Sequence, residues 1–347
     1  MPAALALPPS PVFCLRFVSF WRFGSAHFAQ IGTGISSGTI HFSSIFAHGK
    51  GHAEIICMNA RRILGIAEGD FPANGSLRKK LEFALKYTTL APVEGGWPPW
   101  YFRLADAQVE LMAKNNPVRE EADPERRGFI IGCGSALLYL KLALKHFGCL
   151  GRVELFPDLG QPALVARVHC GFGRERDARE KRLFEAMTEG RVNVSPFGAT
   201  PVSETMLAVL GHAAAGERGW LDFVQSETSR QHVLQATLAE NLWNGAVQPD
   251  VPPAISTATL AVVKTKTDDK HGWLEAGQTM ARTVLQAQAL GLSWAFFDPV
   301  RRRAAREGLR LGVGHKGFAQ VILRFDPLVA DEMFPSAVAS AEVALFR

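Results

Sequence analysis

From Ser76 onward the chain alternates between apolar positions at helical spacing and short apolar runs bounded by turn residues. Leu77, Leu81, Ala84 and Leu85 repeat with the period of a helix, behind a cap at Asn74 or Ser76. "WYFRLAD" and "AQVELMAK" read as two strands around a tight turn at Asp106. "PERRGFIIGCGSALLYLKLALKHFG" is a long helix closed by Gly148, and "ALVARVHCG" is a strand. A second cycle follows. "REKRLFEAMTEG" is a helix, "RVNVSPFGATPVS" a loop, and "SETMLAVLGHAAAG" a helix capped by Ser203. "GWLDFVQ" is a strand, "SRQHVLQATLAENLWNGAV" a helix and "QPDVPPAIS" a proline-rich linker. "TATLAVVKT" reads as a buried strand, "GWLEAGQTMARTVLQAQALG" as a long helix, and "LSWAFF" and "FAQVILRFD" as the last strands. Helices and strands alternate without a clean βαβαβ order, so mixed α+β packing is expected.

Composition changes this picture mainly at the N-terminus. The chain has 347 residues, 47% hydrophobic and 20% charged, a globular balance. Residues 1–57 have few charges and many Phe, His, Ser and Gly. Met58 opens more ordinary sequence, so residues 1–57 are expected to be a poorly ordered or spurious extension. "GTGISSG" within that segment lacks the preceding strand and following helix of a phosphate-cradling loop. Net charge is +5, but the basic residues do not cluster with aromatics, and no nucleic-acid partner is expected. "RRRAAR", Arg301 to Arg306, is the densest basic group, and "RERDAREKR" reads as a solvated helix face. The most apolar run carries Lys141 and Lys145 four residues apart, which predicts a core helix with a polar stripe and no membrane span. Cys14, Cys57, Cys133, Cys149 and Cys170 form no C-x-x-C pair, and free thiols in a reducing cytoplasm are expected. Cys133 near a helix start reads as a small buried residue, and His169 beside Cys170 as inert.

Four stretches carry a resemblance to a known family. They are "DPERRGFIIGCGSALLYLKLALKHFG", "GRVELFPDLGQPALVARV", "WLEAGQTMARTVLQAQALGLS" and "GHKGFAQVILRF". In content and order they resemble the nitroreductase superfamily, and most closely its duplicated, single-chain, Acg-type branch of FMN-binding oxidoreductases. The match covers about Ser76 to Asp326. The resemblance implies a three-layer α+β fold of two tandem halves, residues 58–173 and 174–330, sharing a mixed sheet, with residues 331–347 as a tail. It implies bound FMN, reduced by NAD(P)H and reoxidised by a nitro compound, quinone or similar small acceptor. It also implies a monomer whose second half replaces a partner subunit.

The resemblance assigns positions one by one. The family loop is close to A-P-S-x-x-N-x-Q-P-W. In "APVEGGWPPW" Ala91, Pro92, Pro99 and Trp100 match, whereas Val93, Gly96 and Pro98 replace the serine, asparagine and glutamine. Pro98 lacks even a backbone N–H. In "GRVNVSPF" Arg191, Pro196 and Phe197 match the phosphate motif, whereas Gly190, Val192 and Val194 replace two arginines and a hydroxyl residue. A phosphate dianion wants several charge-assisted donors, and Arg324 or Lys316 are candidates to supplement Arg191. "EAGQ" starts the helix that backs a flavin, and Phe296, Phe297 and Asp298 lie where the family offers backbone N–H groups to the ring. The cofactor-contacting set is therefore Pro92, Trp100, Arg191, Asn193, Gln278, Phe296, Phe297 and Asp298, with no catalytic side chain and no metal ligand. The short "ENLWNGAVQPDVPPAIS" implies a reduced lid. Two alternatives remain beside the active enzyme: a non-catalytic flavin-binding relative, and a chain that keeps the fold without flavin.

Overall fold

The computed structural model describes residues 66–93, 98–115, 123–171, 173, 178–189, 201–243, 259–297, 303–314 and 316–327. The expectations for residues 1–57 and 331–347 lie outside them.

Two long helices organise the chain. Helix α1 (Leu77–Leu85) starts at Ser76, whose Oγ accepts from the Lys79 N–H. Strands β1 (Trp100–Leu104) and β2 (Gln108–Ala113) form the expected hairpin. Helix α2 (Arg127–His146) follows, its first-turn amides at Arg127 and Gly128 capped by the Asp123 carboxylate. It ends at Gly148, which adopts φ +67°, a conformation that a side chain disfavours. Then come β3 (Leu150–Leu155), β4 (Leu164–Cys170) and α3 (Ala178–Glu189). Helix α4 (Glu204–Ala214) is capped by Ser203, and β5 (Trp220–Phe223), α5 (Glu227–Trp243) and β6 (Thr259–Thr265) follow. Helix α6 (Lys270–Ala289) is capped by Asp269, which accepts from the His271 and Gly272 amides. The chain closes with β7 (Leu292–Phe297), α7 (Arg303–Gly312) and β8 (Phe318–Pro327).

The strands form two four-stranded sheets, β1-β2-β4-β3 and β5-β6-β8-β7. Each has the same order, and each places a 20-residue helix between its second and third strand in sequence. The α+β class and the like halves therefore agree with expectation, but the shared mixed sheet does not. Every strand pair is antiparallel, and each half keeps its own sheet. The reason is topological. A strand–helix–strand crossover makes β2 and β3 parallel, but β4 inserts between them and pairs antiparallel with both; β8 does the same between β6 and β7.

Burial follows the side-chain alternation. Along β1, Trp100 and Phe102 are buried while Tyr101 and Arg103 face out. The outward face of the first sheet carries one rung of alternating charge, Arg103, Glu110, Arg167 and Glu154, each opposite the next across four strands. The second sheet is covered on both faces. Ala261, Val263, Val321, Leu323 and Phe325 pack with α4 and α6; Leu260, Val262 and Ile322 pack with α5 and α7. That is why "TLAVVKT" shows an unbroken apolar run. Lys264 in that run is fully buried, and its Nζ reaches the carbonyls of Val313 (2.7 Å) and Gly314 (2.5 Å) and Asp222 Oδ2 (2.8 Å).

The halves meet where α2 packs on α6. An ideal Cβ on Gly134 would lie 2.3 Å from the Leu274 carbonyl oxygen, and one on Gly277 would lie 1.9 Å from that of Ile131. The obstacles are backbone atoms, so the helices must separate to admit even a methyl group. Gly134→Ala or Gly277→Ala is expected to cost about 3 kcal/mol through overpacking, seen as a lower denaturation midpoint. Gly308→Ala, with no atom near its Cβ position, is the control.

Candidate functional site

The opening loop enters from a short 3-10 turn, Lys86–Leu90, and leaves into β1. Ala91 and Pro92 are buried and Val93 is partly so; residues 94–97 lie outside the described set. Trp100 is 6% exposed and belongs to the first core cluster. Gly132 of α2 makes room for its ring and for Pro99: a Cβ there would sit 2.5 Å from Pro99 Cγ and 3.7 Å from the indole. The loop ends are thus held by packing, and the indole is part of the core.

Gln278 lies at the seam between the halves, 6% exposed. Its Oε1 accepts from Lys141 Nζ at 2.8 Å. Lys141 also donates to Glu217 Oε2 at 2.9 Å, and Glu217 Oε1 accepts from Arg282 Nε at 2.8 Å. The polar stripe on α2 therefore acts inside the molecule. Lys141 reaches Glu217 in the turn after α4, and Lys145 reaches Glu180 on α3. Burial pushes the Glu217 carboxyl up, but the adjoining Lys141 and Arg282 charges and their hydrogen bonds outweigh it and hold the pKa below the usual carboxylate value.

A second polar chain links the halves at the start of α2. Buried Arg127 donates to Gln320 Oε1 (3.1 Å from Nε) and to the Gln320 carbonyl. Gln320 Nε2 donates to Thr265 Oγ1 (3.0 Å) and Asp268 Oδ1 (3.2 Å). Asp268 meets Arg306 of α7, which also reaches Glu125. Asp268, Arg306 and Glu125 border a cleft of about 390 Å³. Its lining sets Arg303, Arg306 and Arg310 against Glu125, Asp268, Asp269 and Glu307, three cations to four carboxylates. That balance disfavours a phosphate dianion. "RRRAAR" predicted basic surface; instead Arg303 to Arg306 begin helix α7, with Arg306 4% exposed and used as a strut.

The remaining positions divide. Trp294 and Phe296 of β7 are half-buried and stack with centroids 6.3 Å apart. Phe297 pairs with Ile322 through its backbone. Among the described residues β7 is an edge strand with β8 as its one neighbour, so part of its backbone faces away from the sheet. Trp294 Nε1 is a buried donor with no acceptor among the described residues. Arg191, Asn193 and Asp298, with residues 244–256 of the short lid segment, lie outside the described residues. Of the supplementary cations, Lys316 is exposed, whereas Arg324 is fully buried with its Nε 2.8 Å from Asp326 Oδ2. Burial holds the Arg324 pKa down and the Asp326 pKa up, each opposed by the other's charge.

Other chemistry-bearing side chains are placed as packing or ion-pair groups. Cys133 is fully buried, and burial drives its thiol pKa upward, away from reactivity. His169 Nε2 lies 3.0 Å from Glu154 Oε1. Helix α2 is long and apolar enough to cross a membrane by length and composition, and 83% of that window is buried inside the protein. The seam around Glu217, an internal network that no sequence pattern announced, and the open edge of β7 are the parts that structure adds.

No protein-family model matches the sequence. Two proteins of Mycobacterium tuberculosis, from strains CDC 1551 and H37Rv, each described as "Putative NAD(P)H nitroreductase", are 25% identical to this chain over 313 residues, covering 77% of it and 90% of themselves. A solved nitroreductase with bound FMN from Bacteroides fragilis aligns with 48% of this chain and 98% of its own, at 12% identity and a TM-score of 0.38.

The depressed pKa of Glu217 fixes the sign of a pH effect. Its contribution to stability is complete above the unfolded carboxylate pKa of about 4.5 and is lost as pH falls through the lower folded value. Glu217→Gln is expected to lower stability at pH 7 by about 2 to 3 kcal/mol, because two cations lose their partner in a buried setting. The gap from wild type should narrow below pH 4.5 in urea titrations at stepped pH.

Proposed function

We propose that this chain, a relative of the nitroreductase superfamily, is an oxidoreductase that takes electrons from NAD(P)H through bound FMN and passes them to a nitro compound, quinone or similar small acceptor. The observation that carries this reading is the sequence likeness to the two mycobacterial proteins, continuous over 77% of this chain and 90% of each relative. When bound, FMN supplies the electron transfer, and the protein supplies position and polarity.

The residues present fit the flavin through main chain and shape more than through side chains. The open edge of β7 supports backbone donation toward the ring by whichever of the consecutive Phe296 and Phe297 amides turns away from β8, and the unmatched Trp294 Nε1–H is a further donor on that strand. Pro92 and Trp100 hold the ends of the opening loop by packing. The Gln278 amide oxygen is committed to Lys141, so its contact with a ligand would come from the amide NH2. Arg191 and Asn193 are assigned to the phosphate and ribityl end. With Arg324 held by Asp326, that end relies on few charges, and modest affinity is expected. A monomer, with the second half standing in for a partner subunit, is supported by the repeat of one sheet order in both halves. We place the enzyme in the cytoplasm, consistent with the free thiols of Cys133, Cys149 and Cys170 among the described residues.

A second reading, a relative that binds flavin without turnover, is favoured by Val93, Gly96 and Pro98 in place of hydrogen-bonding side chains. The discriminating experiment mixes the full chain with excess FMN, desalts it and records the visible spectrum, then follows NAD(P)H consumption with a quinone. Retained flavin absorption with turnover is the expected result. Retained absorption without turnover selects the second reading, and a colourless folded protein overturns both.

A further inference from the structure

Two cysteines distant in sequence meet at the end of the first sheet. Cys149 directly precedes β3 and Cys170 ends β4. Cys170 is the register partner of Leu150, and the Gly171 amide donates to the Cys149 carbonyl at 3.0 Å. The strand pair therefore holds the two residues side by side, and their side chains share a hydrogen bond. Both are reduced and nearly buried, with 4% and 7% of their surface exposed. Gly151 allows the close fit here, since a Cβ at that position would lie 2.8 Å from the His169 carbonyl oxygen.

We propose that Cys149 and Cys170 form a dithiol that a hydroperoxide converts reversibly into an intramolecular disulfide joining β3 to β4. The roles of the sulfurs differ. The hydrogen bond from Cys149 lowers the Cys170 pKa most, and the Lys80 ammonium and the Gly171 N–H add to it. The same hydrogen bond and burial keep the proton on Cys149. Cys170 is therefore the attacking thiolate and Cys149 the resolving thiol. In the first step the Cys170 thiolate takes one peroxide oxygen, the O–O bond breaks, and an alcohol (water from hydrogen peroxide) leaves once the departing oxygen gains a proton. In the second step Cys149 sulfur attacks the Cys170 sulfenic sulfur; the S–S bond forms, and the hydroxyl leaves as water with the Cys149 proton. Two thiols lose two electrons and two protons, and the peroxide is reduced to alcohol and water. Cys133, fully buried in α2, takes no part.

The test treats the full-length protein with hydrogen peroxide, blocks remaining thiols by alkylation, and maps tryptic peptides. Cleavage separates residues 146–152 from 168–174, so a Cys149–Cys170 bond appears as one linked pair, lighter by two hydrogens and released by a thiol reductant. Before oxidation, Cys170 is expected to alkylate several-fold faster near neutral pH in wild type than in Cys149→Ala, because alanine leaves no side-chain donor beside the Cys170 sulfur. The proposal is overturned if Cys170 oxidises beyond sulfenic acid while Cys149 remains alkylatable. It is equally overturned if the peroxide links either residue to Cys14 or Cys57, or leaves both thiols free. The wild-type map decides even if Cys149→Ala does not fold.

Discussion

The backbones of α2 and α6 come together at Gly134 and Gly277, and the two halves are built around that approach. Each helix is the crossover of its own sheet and carries one core outward from the contact. Side chains at either glycine would push the helices apart at the point of closest approach. The ion pairs on the seam act at a distance set by that backbone contact. Lys141 meets Glu217 and Gln278, Lys145 meets Glu180, and Arg127 meets Gln320; each pair joins an α2 residue to one contributed by later elements. Glu217, with 7% of its side chain exposed, is matched by Lys141 and Arg282, so removing one partner leaves a buried charge uncompensated.

The proposed flavin chemistry leans on the same arrangement. Positions that would bind through side chains are substituted at Val93, Gly96 and Pro98. Positions that would bind through the main chain lie at the edge of the second sheet, whose strand order leaves β7 with one neighbour among the described residues. A backbone amide survives substitution of its own side chain, except by proline. Backbone recognition of the ring is thus compatible with loss of side-chain anchors, and Pro99 and Trp100 at the end of the opening loop pack on Gly132.

The two long helices, the glycine exit of α2 and the cap of α4 at Ser203 were legible because each depends on a few adjacent residues. So were the β1–β2 hairpin and the buried β6. Helix α7 was not: "RRRAAR" stood out only as the densest basic group, and no helix was expected there. Arg306 occupies a buried position only by virtue of Asp268, 38 residues away, and Glu125, 181 residues away. The shared sheet was misjudged for a related reason: local periodicity identifies strands and helices, but β4 and β8 intervene through long-range pairing. Gln278 was readable as a polar residue on the right helix, while its engagement by Lys141 required the two halves to be docked.

By itself the sequence determined the alternation of elements, the two long apolar helices, the lysine stripe on one of them and the family likeness, all of which rest on spacing along the chain. Only the tertiary structure decided which carboxylate each lysine meets, that each half keeps a separate antiparallel sheet, and that Cys149 and Cys170 share a hydrogen bond. The physical reason is range. Propensity, capping and amphipathicity act within a few residues, whereas charge pairing, strand insertion and thiol contact depend on which distant segments the packed backbones bring together.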